Sequence, residues 1–258
     1  LATIKSLARA ANDDEALALT LDSELHLLHR SGRVAEIRAL FDEIRPLASS
    51  PNRAASCLAN AALALNVLFG DPEEALSCAR EAVRIAEGGE HTLQALSRLI
   101  LVIVTRGAMG LPEYAPLVAM ASDLALRSGD LALRFQVASN QGVYFLDSGD
   151  LDRAEQALLT AGTLLSRADA SVLRISHCCN MGELALLRRD FQQAREWFLT
   201  ANDLRGPGIP AFYDKLIEAG LGIAALEMGA LAQARAHEAR LDLGEPFLYY
   251  DPWLPLLF

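Results

Sequence analysis

At 258 residues the chain can bury one large core or two small ones, and its apolar share of 52% with only 6% aromatics leans on Ala and Leu, strong helix formers among core residues. A net charge of −10, from 33 acidic against 23 basic side chains, provides no positive field to steer a phosphate backbone, which excludes nucleic acid as the main partner of this segment. The longest purely aliphatic run, Leu99–Val104, falls far short of the roughly 20 residues that cross a bilayer, so no membrane contact is expected.

Cys57, Cys78, Cys178 and Cys179 lie in Ala- and Leu-rich stretches without a spaced framework, which reads as buried free thiols in a reducing cytoplasm. The chain opens on Leu with no basic leader or cleavage pattern behind it, which suggests an internal piece of a longer cytoplasmic protein.

Along the chain, turn signals recur at intervals near forty residues. The first three are Gly32-Arg-Val-Ala-Glu-Ile37, Gly70-Asp-Pro-Glu-Glu-Ala75 and Gly110-Leu-Pro-Glu-Tyr-Ala115. In the second, Asp71 can cap a helix and Pro72 suits its first turn. Three stronger copies follow, and in them Gly142, Gly182 and Gly222 stand forty apart, as do Ala154, Ala194 and Ala234. Two antiparallel helices that meet closely need such small residues at the crossing point, and the residues one turn after the alanines, Leu158 and Phe198, can fill the gap to a neighbour. The spacing predicts an all-α, right-handed superhelical solenoid of about six antiparallel helix-turn-helix units, at approximately 13–50, 51–90, 91–129, 130–170, 171–210 and 211–243. Arg205-Gly-Pro-Gly-Ile-Pro210 reads as a longer spacer between units.

These residues resemble the tetratricopeptide repeat, which places a small residue in its first helix, a Gly near the turn, a small residue twelve after the first and another seven further on. Gly142, Gly149, Ala154 and Ala161 match all four positions; Gly182, Ala194 and Ala201 match three, with Arg189 at the turn; Gly222, Gly229 and Ala234 match three, with Leu241 last. The long period is similar to that of C-terminal solenoids in large bacterial signalling ATPases and transcription activators of the maltose-regulator and large LuxR type, and of arrays preceding nucleotide-cyclase domains. That likeness implies a protein-binding or sensor segment of a bacterial regulator, holding a protein, a peptide or its own effector domains, with a small-molecule inducer site as the alternative. It also implies that first helices line the groove. The matching positions are Gln136, Ser139, Asn140 and Val143, then Ser176, Cys179, Asn180 and Glu183, then Leu216, Ala219 and Ile223. Asn140 and Asn180 either face that groove or hydrogen-bond a neighbouring hairpin's backbone.

Catalytic motifs, a phosphate loop and cofactor or metal signatures are absent, so no enzyme, cofactor or metal is expected. His26 and His29 share a predicted helix face but have too few companions for a metal site, and His177, Cys178 and Cys179, being consecutive on a helix, point about 100° apart. Acidic residues are expected on turns and second-helix surfaces. The stretch 244–258 packs five aromatics and three prolines into fifteen residues, and reads as the start of a further unit or as a docking tail, through which copies of the chain could associate.

Overall fold

The described residues form mostly helices because Ala- and Leu-rich segments favour them, and the described turns carry residues that stop one helix and start the next. The computed structural model describes residues 1–30, 34–67, 71–108, 114–165, 171–206 and 211–241. Among the described residues there are thirteen α-helices and no strand. They are α1 (Ala2–Ala11), α2 (Asp14–Arg30), α3 (Val34–Ile44), α4 (Arg53–Val67), α5 (Pro72–Ala86), α6 (His91–Ala108), α7 (Tyr114–Ser128), α8 (Leu131–Asp147), α9 (Leu151–Leu165), α10 (Ser171–Leu187), α11 (Phe191–Asp203), α12 (Ala211–Glu227) and α13 (Leu231–Glu238). A 3₁₀ turn spans Arg45–Ser49. No helix among the described residues is long and apolar enough to cross a membrane.

The turns repeat in chemistry as well as in spacing. Asp13, Asn52, Asp71, Asp130, Asp150 and Asp190 each accept a hydrogen bond from the backbone N–H three residues on, at 2.9–3.2 Å. Each such cap stabilises its helix by about 1 kcal/mol. The last turns of α8, α10 and α12 close on a left-handed residue, Gly149, Arg189 and Gly229, at φ 75°, 63° and 78°. The next N–H then reaches back five residues: Asp150 to Phe145 O, Asp190 to Ala185 O and Ala230 to Ala225 O, at 2.8–2.9 Å. Of these three, only Arg189 adopts this conformation against the preference of an L side chain.

The chain divides into two compact units, residues 1–133 and 134–258. In the first, α4 pairs with α5 and α6 with α7, while α4 also lies against α2 and α6. Its core is narrow: Cys57, Ala61 and Ala64 of α4 meet Ala75, Ala79, Ala82 and Ala86 of α5, and Ile100, Leu101 and Val104 of α6 close it. The four α5 alanines are 0% exposed, and their methyl groups let the helix axes approach closely. Helix α1, which precedes the six expected units, is tied on by Lys5, whose ammonium lies 2.7 Å from Glu24 and 3.3 Å from Glu43.

In the second unit α10 pairs with α11 and α12 with α13, α11 lies on α12, and the first helices α10 and α12 touch. A Cβ built on Gly142 would come 2.5 Å from Leu158 Cδ2, and one on Gly182 would come 2.7 Å from Phe198 Cε2. Gly220 is closer still to the same phenyl ring. Phe198 thus fills the space left by one glycine of its own hairpin and one of the next.

Two anchor positions differ from the even spacing expected of them. Ile37, Ala75, Ala154 and Ala194 are buried, but Ala115 is exposed and Ala234 only half-buried. In α7 the buried stripe is Val118, Ala121 and Ala125, three residues later than the Gly110-to-Ala115 signal implies. Helix α7 begins six positions after the last residue of α6, where α9 begins four after the last residue of α8. Helix α13 buries no residue, so Ala234 has less of a neighbour to meet.

Candidate functional site

The first-helix positions expected to line a groove fall into two groups. Ser139, Cys179 and Ala219, one on each of α8, α10 and α12, are buried. They fill the helix packing and do not supply an accessible surface, a correction that follows from their forty-residue register lying toward the core. Gln136 is exposed, while Asn140, Val143, Ser176, Asn180, Glu183, Leu216 and Ile223 are half-buried, the state of side chains at the edge of a face.

The amides on this face are bound in different ways. Asn180 Nδ2 donates to Ser139 Oγ at 2.8 Å and so joins α10 to α8 through side chains. Asn140 Nδ2 donates to Gln136 O of its own helix at 2.9 Å. Among the described residues neither reaches the backbone of a neighbouring hairpin. Among the described residues the Gln136 amide, the Ser176 hydroxyl and the Asn140 and Asn180 carbonyl oxygens have no other partner. Such a row of amides and hydroxyls between aliphatic Val143, Leu216 and Ile223 can exchange hydrogen bonds with a peptide main chain and cover an apolar side chain.

Asn60 of α4 stands in the same register, eighty residues before Asn140, and went unremarked in the sequence. Its Nδ2 donates to Ser56 O at 2.9 Å and to Ala48 O at 3.0 Å, fastening the 3₁₀ turn to α4. Here the amide is committed to the fold.

None of the cysteines is poised for chemistry. Burial pushes the Cys57 thiol up to about 11 and raises those of Cys78, Cys178 and Cys179, the last raised further by Cys178 and Glu183. All four are free. His177 packs edge-on against Trp197, with ring centroids 6.0 Å apart, and burial lowers its pKa, so at neutral pH it is an uncharged aromatic wall. Among the described residues no group of three or more His, Cys, Asp or Glu can hold a metal, and the side chains of His26 and His29 lie outside those residues. The aromatic stretch 244–258 and the spacer at 207–210 lie outside them too.

One charged cluster contradicts the expectation that acids keep to turns and second helices. Glu218, on first helix α12, is 8% exposed and accepts from Arg205 Nη2 at 3.0 Å, His237 Nδ1–H at 2.7 Å and Arg240 Nη1 at 3.4 Å. Arg205 also pairs with Asp214 at 3.2 Å. Burial alone would raise the Glu218 carboxyl, but the hydrogen bonds from His237 and Arg205 outweigh it and hold the group below its ordinary value. A carboxylate so neutralised is a clamp between α12, its preceding loop and α13, with no proton to give. Its only sequence signal is an acid in the register of Ala138 and Cys178, eighty and forty residues earlier.

No protein-family model matches the chain, and no curated protein matches it.

Proposed function

We propose that this chain is a tetratricopeptide-like solenoid segment of a larger bacterial regulatory protein, and that it binds a protein or peptide, or its own effector domains, along the first helices α8, α10 and α12. The observation that carries this reading is the half-exposed row Gln136, Asn140, Ser176, Asn180, Leu216 and Ile223, which keeps polar groups unused by the fold between aliphatic ones. No cationic clamp accompanies them at the same positions, so an extended or helical peptide of mixed character suits the face better than a terminal carboxylate. Its role in the regulator is to hold and restrain, without catalysis.

Site-specific photocrosslinking tests it. A benzophenone side chain at Gln136, Ser176 or Leu216, in the intact regulator, is expected to capture a partner or effector domain. The same group at the exposed second-helix positions Thr160 or Thr200 is expected to capture nothing. Equal capture from both sets would remove the first helices from the proposal.

A further inference from the structure

Leu165 of α9, Arg174, His177 and Cys178 of α10, and Thr200 and Leu204 of α11 line a cavity of about 360 Å³ that is broadly open to solvent. None of these lining residues belongs to the row of amides, and the volume falls at the small end of the range that holds organic ligands. The walls are apolar: Leu165 is buried, Leu204 half-buried, Cys178 a buried thiol, and the His177 ring has its Nδ1 sealed from solvent with no hydrogen-bond partner among the described residues. Thr200 spends its hydroxyl proton on Glu196 O at 2.9 Å, so it offers a ligand lone pairs only. Arg174 is the one charged side chain among the described lining residues, is exposed, and has no ion pair among the described residues.

We propose that this cavity binds a small monocarboxylic acid with an apolar body, the carboxylate on the Arg174 guanidinium and the body against Leu165, Cys178 and Leu204. A guanidinium presents two parallel N–H donors that match one carboxylate. A phosphate dianion would need a second cation, and the described lining residues supply none. A cation would meet Arg174 with like charge. The uncharged His177 does not compete with Arg174 for the acid group, and its edge-on contact with Trp197 gives the site an optical reporter.

Octanoate is the probe, titrated into the whole chain carrying Trp253→Phe so that Trp197 is the remaining indole, with octanol, octylamine and inorganic phosphate as controls. Saturable change in Trp197 fluorescence and a raised Tm with octanoate alone are expected. Arg174→Gln alters an exposed side chain and should weaken octanoate at least about tenfold. Thr200→Phe, also at an exposed position, should fill the cavity and abolish the response. No saturable response to octanoate at millimolar concentration overturns the proposal. So does equal binding of octanol or phosphate, or binding that survives both substitutions while circular dichroism shows each variant folded.

Discussion

The phenyl ring of Phe198 occupies room that Gly182 and Gly220 leave open, and this sets the most stringent side-chain limits in the second unit. Gly182→Leu should lower stability by about 1–3 kcal/mol through overpacking, and Gly220→Ala should act in the same direction. Phe198→Leu combined with Gly220→Ala should recover part of the loss, so that thermal unfolding of the four proteins gives a non-zero coupling. An additive cycle would show that the ring and Gly220 do not meet. Arg189 presents the opposite opportunity. It holds φ 63° where Gly149 and Gly229 stand in the equivalent turns, and it is exposed. Arg189→Gly trades left-handed strain against a looser unfolded chain and should raise stability by about 0.5–1 kcal/mol, seen as a higher Tm.

Among the helices, α13 depends most on electrostatics, since it buries no residue and meets α12 through the Glu218 cluster and a 3.4 Å approach that a Cβ on Gly222 would make to His237 Cβ. Glu218→Gln should cost about 1.5–3 kcal/mol by removing charge from three hydrogen bonds. The pH dependence follows from the depressed carboxyl. Its contribution is complete above the unfolded carboxyl value, about 4.3, and is lost as pH falls through the lower folded value. Protection of α13 amides against hydrogen exchange, corrected for the intrinsic slowing of exchange in acid, should therefore fall on acidification below about pH 4 in the native chain. The acid-dependent part of that change should be missing in Glu218→Gln.

This cluster was not legible in the sequence because its partners lie 13, 19 and 22 residues away, with no spacing rule to join them. The hairpin turns were legible because close helix crossings admit few residue types, and Gly142, Gly182, Ala154 and Ala194 recur where those crossings fall. Helix α7 escaped the pattern for a local reason: a plausible Gly-and-Ala signal sits three residues ahead of the stripe that packs. For the first-helix positions, sequence spacing could not separate Ser139, Cys179 and Ala219, which turn inward, from the neighbours that stay at the edge. A difference of one helical position, about 100°, decides that, and it depends on the adjoining helix.

For the chain as a whole, two compact units with separate cores imply that stability is shared out locally. Urea unfolding followed by Trp197 fluorescence should then report the second unit, while far-ultraviolet circular dichroism reports every helix. The two midpoints are expected to differ; coincident curves would show one cooperative block. The same separation would let a partner order one unit while leaving the other's exchange rates unchanged.

The shared ring of Phe198 also bears on how such an array can be rearranged during evolution. A hairpin whose boundary is sealed by an aromatic from one unit and a glycine from the next is not a free-standing module. Excising α10 and α11 would strand Gly220 without its filler, and a hairpin inserted before α12 would have to bring its own large residue to that seam. Duplication can lengthen this stretch only in units that copy both halves of the joint, which favours a fixed forty-residue quantum here over gradual drift in repeat length.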